Sequence, residues 1–88
     1  MRIAGFEWND RNLEHISRHG VTPEEVEETC YYQPFILKSK YNRYLILGQS
    51  QGGRYLAIVI EQKKMGIVRV LIARDMNNSE RRKYIKER

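Results

Sequence analysis

The sequence predicts an α+β fold of two amino-terminal helices, a curved antiparallel sheet of about four strands, and a closing carboxy-terminal helix. Three observations carry this reading. Thr22-Pro23-Glu24-Glu25 is a complete helix start, with Thr22 as N-cap, Pro23 at the first helical position and Glu25 closing a capping box. Four β-branched or apolar segments between Phe35 and Ala73 are separated only by short turn-forming stretches. The stretch from Ile67 to Tyr84 then runs as a buried-type strand, is closed by Arg74, and restarts as a basic helix.

In chain order, Ile3 to Trp8 reads as a short strand or extended lead-in whose aromatics Phe6 and Trp8 pack on the core. Asn9 caps a first helix running to about His19, with Leu13 and Ile16 as its apolar positions. Gly20 takes the left-handed position after it, and Arg18 and His19 fill the last turn, where the helix dipole favours cations. In the second helix Val21 staples onto Val26, and the helix ends near residues 31–33, before Pro34.

The strands are predicted over Phe35–Lys38, Arg43–Gly48, Arg54–Ile60 and Ile67–Ala73, with turns at Tyr41-Asn42, residues 51–53 and residues 63–66. Connections this short imply an antiparallel meander. Asn77 and Glu80 form an Asn version of the capping box. From Ser79 the chain continues as a short helix rich in cations, Arg81, Arg82, Lys83, Lys86 and Arg88.

A chain of 88 residues reads as one domain, 1–88, able to bury about 60% of its unfolded surface but not to build a second core. Hydrophobic residues make up 41% and charged residues 31%, which is too apolar for disorder. The net charge is +5. Glu24, Glu25, Glu27 and Glu28 sit together without a neighbouring cation, so the remainder of the chain carries +9. A basic body with one acidic helix suits nucleic-acid phosphates or an acidic protein partner.

Cys30 is the only cysteine, so no disulfide framework or thiolate zinc site is available, and a reducing cytoplasm is the compartment the composition fits. The amino terminus has no long apolar segment, and the run from Tyr55 to Ile60 is far too short to span a bilayer. No cofactor, metal or membrane association is expected.

His15 and His19 are four residues apart and share a helix face. Such a pair can ligate zinc, but no further His or Cys cluster supplies a third ligand. Acid–base chemistry fits better, since histidine titrates nearest neutrality. A hydrogen-bonded place at the core edge for His15 and a helix-end place for His19 stand beside that reading. Arg54 opens one strand and Arg74 closes the next, and pairing through the turn at 63–66 sets the two opposite each other at one rim. Paired guanidiniums repel unless an anion lies between them, which suggests a phosphate site. Neutralisation by Asp75 or by a glutamate of the second helix is the alternative.

Two motifs together resemble the BrnT family of toxins. One is Trp8-x3-Asn12-x2-His15-Ile16-x2-His19-Gly20-Val21 with the acidic helix Glu24–Glu28. The other is Arg74-Asp75-Met76 followed by Glu80-Arg81-Arg82 and Tyr84. The resemblance spans nearly the whole chain in order, departing from the pattern at Arg18, where lysine is common, and at Asp75-Met76. It implies a RelE-like fold, membership of a type II toxin–antitoxin module, and ribonuclease activity that blocks translation. The implied partners are RNA and a BrnA-like, DNA-binding antitoxin.

Metal-independent RNA cleavage needs a base for the 2′-OH proton, cations on the pentacoordinate phosphate and an acid for the leaving 5′-oxygen. The resemblance carries over Arg18, His19 and Arg74 as functional residues, and the chemistry then suits His19 as acid or base, with Arg18, Arg54 from the strand reading and Arg74 on the phosphate. His15, Arg82 and Tyr84 are expected to bind RNA, and His15 or Tyr84 to complete the acid–base pair. Tyr41, Tyr44 and Tyr55 can stack bases or pack the sheet. Two other readings stand beside the nuclease: a module of the same fold that binds a protein or RNA without cleaving, and a DNA-binding regulator, for which no helix-turn-helix spacing is visible.

Overall fold

The computed structural model describes residues 2–88. Strand β1 (Gly5–Glu7) leads into helices α1 (Asp10–Ser17) and α2 (Pro23–Tyr31). Strands β2 (Phe35–Lys38), β3 (Arg43–Gln49), β4 (Tyr55–Gln62) and β5 (Ile67–Asp75) follow, and helix α3 (Asn78–Glu87) closes the chain. The strands form one sheet in the order β1-β5-β4-β3-β2. β2 to β5 are the expected antiparallel meander. β1 adds a fifth strand, parallel to β5, so the sheet is mixed rather than purely antiparallel. Three residues are too few to show a period of two, and their partner, Ile67 opposite Gly5, is far away in sequence.

All three helices start where the sequence places them. Asn9, Thr22 and Asn77 each accept a backbone N–H from the first turn, and the boxes closed by Glu25 and Glu80 are both formed. Helix α1 ends sooner than expected, at Ser17, so His19 lies in the following turn. There Gly20 takes φ +67°, and the Val21 and Gly20 N–H groups donate back to the Ile16 and Ser17 carbonyls. This is the Schellman arrangement, with Ile16 and Val21 both buried beneath it.

One face of the sheet is covered by α1 and α2. Ile16, Val26, Leu56, Ile58, Ile60 and Val70 are its centre, each at most 1% exposed and each contributing about 1.5–3 kcal/mol of burial. Helix α2 comes close enough to β3 that a Cβ on Gly48 would stand 2.9 Å from Thr29 Cγ2, so only glycine fits there. The opposite face is covered in part, by α3. Its anchor is Tyr84, packed on Leu47 and Ala57.

A bulge in β5 decides which face each residue near its end occupies. Ile60 pairs with Val70 but Val59 with Ile72, leaving Leu71 as an extra residue. Val68 and Val70 face α1 and α2; beyond the bulge it is Ala73, opposite Ile58, and Asp75, opposite Leu56, that take that face. Arg74 therefore points to the α3 side. It pairs with Ala57 and not with the neighbourhood of Arg54, which corrects the expectation that Arg54 and Arg74 lie opposite each other. The hairpin register already runs two residues away from that expectation before the bulge, with Glu61 opposite Arg69, and the one extra residue then turns every later side chain over.

Candidate functional site

At the end of the sheet where β4 begins and β5 ends, two arginines are held by different means on different faces. Arg54, on the α1/α2 side, has every N–H donor engaged. Its Nε donates to Asp75 Oδ1 at 2.7 Å and its Nη2 to Asp75 Oδ2 at 3.2 Å and the His19 carbonyl at 3.0 Å. Its Nη1 donates to the Gly20 carbonyl at 2.7 Å and to Glu25 Oε1 at 3.3 Å. The guanidinium thus fastens the α1–α2 turn to the sheet and has no donor left for a phosphate. The hydrogen bond to Asp75 keeps Arg54 above its ordinary pKa, and the same bond holds Asp75 below its own, with a smaller contribution from nearby His19.

Arg74, on the α3 side, is gripped by Glu80 in a two-pronged pair, Nη1 to Oε1 at 2.7 Å and Nη2 to Oε2 at 2.9 Å, and its Nη1 also donates to the Asp75 carbonyl at 3.2 Å. Its Nε–H and one Nη2–H have no partner among the described residues. Of the two arginines, Arg74 is the one with donors open to an anion. Glu80 meanwhile also accepts the Asn77 backbone N–H at 3.0 Å, so one carboxylate both caps α3 and orients the arginine before it. Hydrogen bonding to Arg74 lowers the Glu80 pKa, and its reciprocal raises that of Arg74.

Glu80 thus does more than the capping that its spacing from Asn77 predicts, since the strand-to-helix turn also brings it onto Arg74, six residues before it.

The remaining expected residues fall into two groups. Arg18 and His19 are exposed beside the Arg54 clasp, Arg18 held only by Glu14 at 2.7 Å. His15 is exposed on α1 and Arg82 on α3. Tyr84 is not available to RNA. It is 4% exposed and meets Tyr55 edge-on at 6.0 Å between centroids, because α3 has a nearly all-polar sequence and this ring is what it buries. Arg81 lies 4.0 Å over the Tyr55 ring, a cation–π contact. Among the described residues no three His, Cys, Asp or Glu side chains gather as a metal-binding group. A groove of about 830 Å³ between α2 and the β3–β4 turn is lined by Glu24, Glu27 and Glu28, a charge unsuited to RNA.

These features define a small α+β protein, three helices on a five-stranded mixed sheet, with cationic groups at one rim. No protein-family model and no curated protein matches the chain. Among solved structures it is similar to the crystal structure of the Brucella abortus ribonuclease toxin BrnT, with a TM-score of 0.68 and 16% sequence identity. The match covers 84% of this chain and 97% of that one. The chain therefore has a BrnT-like fold, in agreement with the terminal motifs. Among the described residues no helix is long and apolar enough to cross a membrane.

Proposed function

We propose that this chain is the toxin of a type II toxin–antitoxin module, a metal-independent endoribonuclease that cuts RNA in the cytoplasm and so inhibits translation. The observation that carries the proposal is the likeness to the BrnT ribonuclease toxin over nearly that whole chain. The rim supplies compatible chemistry. His19 takes the 2′-OH proton as the 2′-oxygen attacks phosphorus, or delivers a proton to the 5′-oxygen as the P–O bond breaks. Arg74, through its open Nε–H and Nη2–H, and exposed Arg18 stabilise the charge on the phosphate. His15 is the exposed candidate for the second proton transfer, and Arg82 adds a phosphate contact. Arg54 is reassigned to positioning, since it grips the His19 and Gly20 carbonyls and leaves the His19 imidazole outside.

The implied partners are RNA and an antitoxin of the BrnA kind that also binds DNA. A second reading, a module that binds without cleaving, is favoured by one observation: both Arg54 and Arg74 are ion-paired within the chain. Induced expression separates the two. A nuclease toxin arrests growth and loses that effect in a folded His19→Ala variant, whereas arrest that survives His19→Ala supports binding alone.

A further inference from the structure

Two left-handed residues with large side chains sit at the opposite end of the sheet from the Arg74 rim. The β2–β3 connection, residues 39–42, closes with the Arg43 N–H donating to the Lys40 carbonyl at 3.1 Å, and the two residues between them, Tyr41 and Asn42, have φ +58° and +60°. Asn42 suits such a turn, but a bulky residue at Tyr41 is strained, and the ring is 82% exposed, so no burial compensates. The neighbouring β4–β5 turn repeats the pattern. Met65 has φ +56° and is 92% exposed. Antiparallel pairing places both turns at one end, and the Gln62 N–H donates to the Asn42 carbonyl at 2.8 Å, joining them.

Around these displayed side chains stand Lys38, Lys40, Arg43, Lys63 and Lys64. Among the described residues only Lys63 of these has an ion pair, with Glu61 at 4.0 Å, the limit of contact. A strained, exposed aromatic among cations of which all but Lys63 lack an ion pair is poor for stability and apt for a single-stranded nucleic acid, whose base stacks while its phosphates take the lysines.

We propose that the joined tips of the β2–β3 and β4–β5 hairpins form a second, non-catalytic binding site for single-stranded RNA, with Tyr41 stacking on a base and Lys40, Lys63 and Lys64 on flanking phosphates. This rests on the nuclease reading for its choice of RNA. The seven residues of β3 separate the tips from the rim by roughly 20 Å. A strand held at both ends runs across the part of the sheet face that α3 leaves open, so the tips set how much RNA beyond the cleaved bond is recognised.

The test is fluorescence anisotropy with a labelled 2′-O-methyl single strand about 12 nucleotides long, which binds but lacks the attacking hydroxyl. Three lysine contacts at about 0.7 each predict that Lys40→Gln/Lys63→Gln/Lys64→Gln lowers the slope of log affinity against log salt by about 2. Tyr41→Asn suits the turn better and is expected to raise the Tm, yet to weaken binding about tenfold with the salt slope kept. Tyr41→Trp retains affinity.

Wild-type affinity and slope in all three variants overturn the site. So does unchanged RNA affinity accompanied by lost binding to phosphatidylcholine–phosphatidylserine vesicles, which assigns the tips to a membrane surface. Because the probe is not cleaved, a wild type that binds through the tips but never cuts RNA removes the nuclease reading and leaves the site standing. A wild type that cuts RNA while the tip variants bind normally removes the site alone.

Discussion

Asn12 of α1 donates from Nδ2 to the Val70 carbonyl at 3.2 Å, at the point where β5 bulges. The bond reaches across 58 residues of sequence and gives a partner to a strand carbonyl beside the extra residue Leu71. Because the bulge turns Arg74 toward α3 and Asp75 toward Arg54, this contact helps determine which face each rim residue occupies.

Asn12→Ala is therefore expected to destabilise the fold by about 1 kcal/mol, the net value of one hydrogen bond. The cost is limited because Asn12 Oδ1 is itself buried without a partner and its removal relieves that penalty. A lower urea midpoint with an unchanged m-value checks this, and an unchanged midpoint contradicts it.

The Arg54 clasp needs a planar guanidinium, since its acceptors are spread over Asp75, Glu25 and two carbonyls. Lysine offers one compact charge in place of that fork. Arg54→Lys is expected to cost about 2 kcal/mol and to loosen the turn carrying His19. Amide exchange at residues 18–21, faster in the variant than in wild type, reads out the second effect.

Acid should weaken the protein through Glu80 and Asp75. Both carboxyls titrate lower in the fold than in the unfolded chain, chiefly through their hydrogen bonds to Arg74 and Arg54, so in that window the unfolded state binds more protons and stability rises with pH. The contribution is complete above the ordinary values of about 3.9 and 4.3 and is lost as pH falls through the lowered ones. Urea midpoints between about pH 2 and pH 6 should flatten in Glu80→Gln, and an acid limb as steep as in wild type would count against the pairing.

Cys30 should be inert in the native protein. Burial, and then the charge of Glu27, push its thiol up to about 12, so almost no thiolate exists near neutrality. A disulfide reagent at about pH 8 is expected to label it only after unfolding, whereas rapid labelling of the folded chain would show that the α2 core opens readily.

What the sequence discloses here is what is local. The caps at Asn9, Thr22 and Asn77 bond residues three positions away, and the Tyr41-Asn42 turn needs only its own neighbours, so residue types alone place them. The parallel pairing of β1 depends on a partner some sixty residues distant, and the bulge at Leu71 on how β5 sits against β4, and nothing in Gly5–Glu7 or Val70–Ile72 announces either. The site divides the same way. Neutralisation of Arg54 by Asp75 and a helix-2 glutamate was legible as one alternative, while Glu80 as the partner of Arg74 was hidden behind its capping role. Tyr84 is expected at the RNA from its place in the terminal motif, and only the sheet beneath α3 shows it to be the anchor of that helix.

Incubation of RNA with the purified chain in excess EDTA, for wild type, His19→Ala and Arg74→Ala, tests the central claim most directly. The account predicts cleavage by wild type, leaving 2′,3′-cyclic phosphate ends, and its loss in both variants while each stays folded. Intact RNA in every lane, with and without ribosomes present, would contradict it.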